Sequence, residues 1–568
     1  MAVRFSESIV NFSSASQLVV SAEGSLVVGV PAVIGLGNGE DYHVAFSGII
    51  GDGIVRLEIG TNSMIEDLSG NLLVEPDAFG LALVANSTYP IYYADADGTN
   101  PVPPYSSWQT AATNLQDALA FAESGTEVWV ADGTYYPDRS FNQRSGSRNA
   151  SFRLSPGLKI IGGFAGHETA LEQRHPDPWH HPSVLSGDLS EDDGPNFTGN
   201  DENSRHVVKG DMGNDDSVLD GFIVTAGNST GFGTGGGIEL LRNGSDIGTP
   251  EIRNCRIEKS IATWGGGVYI SQMKAIFSSC IIVSNRAGTF GGGVRIINGN
   301  GVFSNCLIEA NRSNSGGGGV ALSSSVATFV NTSIQGNYGR NTGGGLHLAD
   351  GNRATLINCT IQGNRSPSGS AVRDNDGTGA QRYYNNTIIW NNVGSATARQ
   401  NSFSSLNPTG VTLNHCLVEH FTAAELNTNG MGGAGNLDGT LIANDPGFLS
   451  PVDPALAPLA GGDLRLSFGS PAIDQGLNAT NTSSVDLAGN PRIQNAIIDL
   501  GAYEYDSAPP AVVSITTDET GPVRASNLIF QIRFNESVVG FDAFADLALQ
   551  VVGTANAVGA TVVGTGDT

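Results

Sequence analysis

A triple glycine recurs along the middle of the chain at a constant interval. Gly265-Gly266-Gly267-Val268, Gly291-Gly292-Gly293-Val294, Gly317-Gly318-Gly319-Val320 and Gly343-Gly344-Gly345-Leu346 are spaced by 26 residues, and Gly369-Ser370-Ala371-Val372 is a degenerate fifth copy. A period of this length is that of a solenoid, in which each repeat buries its apolar face only against its neighbours. A second phrase recurs inside each period: Asn254-Cys255-Arg256-Ile257, Ser279-Cys280-Ile281-Ile282, Asn305-Cys306-Leu307-Ile308, Asn331-Thr332-Ser333-Ile334, Asn358-Cys359-Thr360-Ile361 and Asn385-Asn386-Thr387-Ile388. Long stretches of 3.6-residue periodicity are absent, so the repeats are read as β-coils stacked about 4.8 Å apart and paired in parallel.

This register makes specific expectations. Val268, Val294, Val320, Leu346 and Val372 should form one inward stack, with Ile270, Ile296, Leu322 and Leu348 beside it. The glycines should mark a turn that needs positive φ or close backbone approach. Cys255, Cys280, Cys306, Cys359 and Cys416 occupy one column with Thr332 and Asn386, and without a histidine cluster or CxxC pair they read as packing thiols. Asn285, Asn311, Asn337, Asn364 and Asn391 form a second column, an asparagine ladder.

The open end of a coil must be covered. Thr113-Asn114-Leu115-Gln116 has the form of a T-x-x-Q capping box, followed by Leu115, Ala118, Leu119 and Ala122 at helical spacing and stopped by Gly125. A short N-terminal capping helix is therefore expected, with Val128-Trp129-Val130 and Gly133-Thr134-Tyr135 as the first rung.

Outside the coil, Val3-Arg4-Phe5-Ser6-Glu7-Ser8-Ile9-Val10 and Ile532-Arg533-Phe534-Asn535-Glu536-Ser537-Val538-Val539 are the same segment twice, amid period-2 strands and Gly/Asn/Ser turns. These ends resemble bacterial Ig-like repeats of long surface proteins, which pair F-S-E-x-V with a later D-x-x-G-N such as Asp67-Leu68-Ser69-Gly70-Asn71. The expected division is a partial Ig-like β-sandwich at 1–88, the β-helix with its cap and closing segment at 89–506, and the start of a second sandwich at 507–568. The expected setting is a tandem array in a longer protein. Met1 to Phe5 lack the basic and apolar regions of a signal peptide, so any export signal is expected outside this sequence.

The middle also carries a resemblance. Tyr92-Tyr93-Ala94-Asp95, Leu115-Gln116-Asp117-Ala118-Leu119 and Val128 to Tyr135 look like the opening of pectate-lyase-like right-handed β-helix proteins. Gly162 to Gly166 and Leu185-Ser186-Gly187-Asp188 resemble a bacterial β-helix surface group, and the ending Ser470 to Asp474, Asp486 to Arg492 and Asp499 to Glu504 is similar to the bacterial choice-of-anchor Q type. The glycine phrases have a looser likeness to polymorphic outer membrane proteins. The resemblance implies an all-β, right-handed parallel β-helix, an extracellular or bacterial cell-surface location, and adhesion for some relatives.

Charge narrows the partners. Asp and Glu number 55 against 28 Lys and Arg, a net charge of −27 that repels a phosphate backbone, so nucleic acid is not an expected partner. No run of about 18 apolar residues is present, so no membrane-spanning helix is expected. Glu239, Tyr269, Arg295, Ala321, His347 and Arg373 should share an outward column, of which Tyr269, Arg295, His347 and Arg373 are the candidate ligand-binding residues. Tyr269 would stack on a sugar and the arginines would hold a carboxylate, at a spacing close to that of a saccharide's repeating groups. A solvated mixed face is the plainer reading of the same column. Asp188, Glu191, Asp192 and Asp193 are the densest acidic run, and Asp95, Asp97 and Asn100 lie in an oxygen-rich loop that could take calcium or be a simple turn. No catalytic residue and no other cofactor is assigned. The expectation is a non-catalytic module for adhesion, polysaccharide binding or spacing. The alternative is a lyase or hydrolase of acidic polysaccharides, an analogy of fold.

Overall fold

Each 26-residue repeat is one turn of a coil whose short strands pair in parallel with the turns above and below. The computed structural model describes residues 91–505 apart from 142, 213–216, 243–247, 350, 376–380, 396, 406–409 and 428–432, together with the strand backbones between residues 2 and 85 and residues 512–516 and 530–534. Three long parallel sheets form the walls. The first begins at Ile91–Ala94 and has eleven strands, the second begins at Gly133–Tyr135 and has ten, and the third begins at Phe152–Arg153 and has nine. In a representative turn the chain runs through Lys274–Ser278, Ile281–Val283 and Arg286–Ala287 to Val294–Ile297, one strand in each wall with a short fourth ladder between the last two.

The register matches the period. Val268, Val294, Val320, Leu346 and Val372 pair in sequence, as do Ile270, Ile296, Leu322 and Leu348, and all are fully buried. Opposite them Phe277, Phe303 and Phe329 stack with centroids 5.1 Å apart at each step. Removing such side chains from water in an unbroken pile supplies most of the coil's stability.

The glycines do two different jobs. The first of each triplet has positive φ, from 60° at Gly343 to 72° at Gly291, and Gly369 keeps it at 65° in the degenerate copy. At the second, a Cβ would meet the carbonyl of the next turn: 2.3 Å from Gly318 O at Gly292, 2.5 Å from Gly344 O at Gly318. Both needs exclude larger side chains.

The cysteines are free and fully buried. Each thiol donates to backbone carbonyls, as Cys280 does to Ile252 O at 3.3 Å, and Thr332 places its hydroxyl likewise against Phe303 O. Asn386, expected in this column, instead follows Asn358, to which its amide donates at 2.9 Å, and Thr387 takes the cysteine position, because that turn is one residue longer than the count assumes. Burial pushes the thiols of Cys255, Cys359 and Cys416 up to about 12, as suits packing groups. The asparagine ladder runs through Asn285, Asn311, Asn337 and Asn364, but its next member is Asn392 rather than Asn391. That turn is longer, and Asn391 instead takes φ of +50° and donates its N–H to Glu419.

Leu115–Leu119 forms the expected helix, α1, with Leu115 and Ala118 buried in the core. The capping box does not form. Asn114 is the N-cap, without a side-chain bond, and Gln116 donates instead to Pro137 O and Ser151 O. The first wall also starts one strand earlier than expected, because Ile91–Ala94 pairs with Glu127–Ala131.

Beyond the last turns, residues 437–504 run back along the outside of the coil. Asn386, Asn358 and Asn331 donate in turn to Leu477 O, Asn481 Oδ1 and Val485 O, while Gln362 and Gln335 donate to Val452 O and Gly461 O. The phrases around Asp486, Arg492, Asp499 and Glu504 close this strap: buried Arg492 donates to Asp499 O and Gly501 O, and its Nε lies 3.4 Å from Glu504.

The chain divides into two compact units, Met1–Glu504 and Tyr505–Thr568. In the first, strands between residues 2 and 85 form two three-stranded antiparallel sheets, Ala2–Arg4 with Asp41–Phe46 and Pro31–Gly35, and Leu18–Gly24 with Gly53–Ile59 and Leu81–Ala85. In the second, Val512–Thr516 pairs antiparallel with Gln531–Phe534.

Candidate functional site

The third wall brings the expected column together. Lys209, Glu239, Tyr269, Arg295, Ala321, His347, Arg373 and Ser404 are consecutive partners across parallel strands. Alternation along each strand turns these side chains away from the valine stack, as the sequence implies.

Exposure is where the expectation fails. Tyr269 is 9% exposed, Arg295 7% and His347 3%, while Arg373 is half-buried. The column is recessed rather than a solvated face, and Tyr269 presents no open platform. Over Arg295 and His347 the cover is the segments ahead of Gly291 and Gly317. Phe290 lies with its ring centroid 5.3 Å from both the Arg295 guanidinium and the His347 ring, and Gly316 lies so close to His347 that a Cβ there would fall 2.2 Å from Nδ1. Phe290 was not singled out in the sequence, although an aromatic directly before Gly291 was the available signal.

Charges along the column are unevenly matched. Glu239 lies 3.1 Å from Lys209 Nζ and 3.6 Å from His206 Nε2. Arg295 donates to Ser323 Oγ at 2.7 Å and Arg373 to Ser404 Oγ at 2.8 Å, and among the described residues neither arginine meets a carboxylate. Burial, then the two flanking guanidiniums, lowers His347 to about 4, so it is a neutral imidazole at neutral pH, with Nδ1 buried and unbonded. Burial also lowers Arg295 to about 10, still charged at neutral pH. The two guanidiniums stand three strands apart, about 14 Å.

The other candidates lie elsewhere. Asp95 accepts the N–H of Asp97 at 3.0 Å, an Asx turn, and Asp97 and Asn100 are exposed. A cleft of about 400 Å³ lies between the coil and the strap, lined by Trp179, Asn305, Asp486 and Tyr503 among others.

A family model described as "Right handed beta helix region" matches residues 218–433. The chain folds as a right-handed parallel β-helix. Two solved structures are similar to it: "Crystal structure of pectate lyase Pel9A", at 14% identity and TM-score 0.41 over 74% of this chain and 97% of that one, and "Rhamnogalacturonan lyase", at 12% and 0.29 over 63% and 90%. No curated protein matches. On this β-helix the recessed arginine column presents charged hydrogen-bond donors, with an aromatic ring beside one of them.

Proposed function

We propose that this β-helix is a non-catalytic polysaccharide-binding module of an extracellular or cell-surface bacterial protein, a rigid spacer flanked by Ig-like segments, and that Arg295 and Arg373 receive carboxylate groups of an acidic glycan. One observation carries the reading: on a chain of net charge −27, two guanidiniums share one wall with hydroxyl and aromatic neighbours and no carboxylate partner among the described residues. An unmatched, partly desolvated cation attracts an anion more strongly than one in bulk water. The intervening Ala321 and neutral His347 leave the charge concentrated at the two arginines.

The test is retention of the whole chain on immobilised polygalacturonate and on a neutral glucan. Retention on the acidic polymer alone, weakening as salt rises and lost in Arg295→Gln/Arg373→Gln while far-ultraviolet circular dichroism is unchanged, supports the reading. Equal retention of the doubly substituted chain overturns it. Release of ultraviolet-absorbing unsaturated uronates, lost in the same variant, would replace it with a lyase.

A further inference from the structure

The loop after Ser183–Ser186 holds a second concentration of charge, remote in sequence from the arginine column. Asp188 organises it: its two carboxylate oxygens accept the N–H groups of Asp192 and Asp193, each at 3.1 Å. Carboxylate oxygens of Asp188, Asp192 and Glu202 then lie within 4.8 Å of one another. Glu191, from the same acidic run, turns away to Arg139 and Arg144. The fold therefore selects some acids of the run, and adds one that the run does not contain.

Acidic surface alone would not mark a site, but two neighbouring oxygens do. Oε1 of Glu202 is buried and has no hydrogen-bond partner among the described residues, and the same holds for Oδ1 of Asn203, a residue 1% exposed. The Asn203 amide is fixed by its nitrogen, which donates to Asp193 Oδ2 and to Ala226 O, both at 2.8 Å. Because amide oxygen and nitrogen share one carbon, the orphaned oxygen is held beside the Asp193 carboxylate. Buried acceptors without donors are uncommon and call for an ion or an ordered group. Arg148 reaches this loop but donates to the backbone carbonyls of Asn203 and Asn228.

We propose that Asp188, Asp192 and Glu202, with Asp193 and Asn203 beside them, bind one calcium ion that fastens the 188–203 loop to the coil. The donors are all oxygen, which excludes the softer metals that prefer His or Cys. Calcium accepts six to eight oxygens in irregular arrangement, whereas magnesium demands a near-ideal octahedron. Fastening follows from position: Ala226, which holds Asn203, follows the wall strand Phe222–Thr225, and Asn228, which holds Asn200, begins the strand Asn228–Thr234 of the fourth ladder.

Isothermal titration of the chelator-treated full chain with calcium chloride tests this, to about 10 mM because extracellular modules often bind at about 10⁻⁴–10⁻³ M. The expected result is one calcium per chain, a rise in thermal midpoint, and at least tenfold weaker binding in Asp192→Asn/Glu202→Gln, with Asp95→Asn/Asp97→Asn unaffected. Should the double variant fail to fold, Glu202→Gln alone should show the weakening. Absence of calcium binding in the parent chain, or binding equally strong in the Glu202→Gln chain, overturns the proposal; loss on Asp95→Asn/Asp97→Asn instead would move the ion to that turn.

Discussion

Asp374 and Arg382 form an ion pair inside the coil, with both side chains 0% exposed. Asp374 continues the inward stack after Leu348, and Arg382 takes the position that Ala354, Ala327 and Gly301 hold in the turns before it. Arg382→Ala takes from the buried Asp374 carboxylate its guanidinium partner and should cost about 3–5 kcal/mol. Asp374→Leu/Arg382→Ala restores the composition of the preceding turns and should lose much less. Denaturant unfolding of the two variants measures the difference, and equal losses would refute the argument.

Asn337 is a four-way junction in its ladder. Its Oδ1 accepts from the N–H and side-chain amide of Asn311, and its Nδ2 donates to Ile308 O and Asn364 Oδ1. Asn337→Leu strands several buried groups at once, each costing about 1–3 kcal/mol. The expected loss is several kcal/mol, together with faster amide exchange in the adjacent turns. Loss below 1 kcal/mol would make the ladder dispensable.

Gly318→Ala should separate two turns, because the added Cβ would stand 2.5 Å from both Gly344 O and the Tyr338 carbonyl carbon. Backbone on both sides cannot yield independently in a continuous stack. A loss of about 1–3 kcal/mol, typical of overpacking, should appear in thermal unfolding.

His347 predicts a pH dependence. Its folded value is lowered to about 4 by burial and by Arg295 and Arg373, below an unfolded value near 6.5. The unfolded chain thus takes up a proton first as pH falls, and its stability contribution, fully present above 6.5, is lost between 6.5 and 4. The size is up to about 3 kcal/mol. In His347→Ala, matching Ala321 two strands before Arg373 in the same column, that part of the slope should vanish. Parallel pH profiles for parent and variant would show that the imidazole does not titrate as described.

The period made the coil legible because stacking converts a sequence interval directly into a spatial neighbour. Which residue lies above Val320 or Arg295 follows from counting 26, and the glycine positions follow from the same count. Counting fails where a turn changes length, which is why Asn392 and not Asn391 carries the ladder on. The capping box failed for a related reason: Gln116 finds backbone acceptors 21 and 35 residues away that the local motif does not contain.

By itself, then, the sequence determined which residues share a column and which face inward, since both follow from strand alternation and a constant repeat. The tertiary structure alone decided what covers each column and which acids meet. Phe290 and Gly316 bury Arg295 and His347, the returning strap buries the outer face of the second wall, and Glu202 joins Asp188 across a fold of the loop. These contacts come from non-periodic segments, whose paths are set by the long-range hydrogen bonds and packing available to them rather than by any interval along the chain.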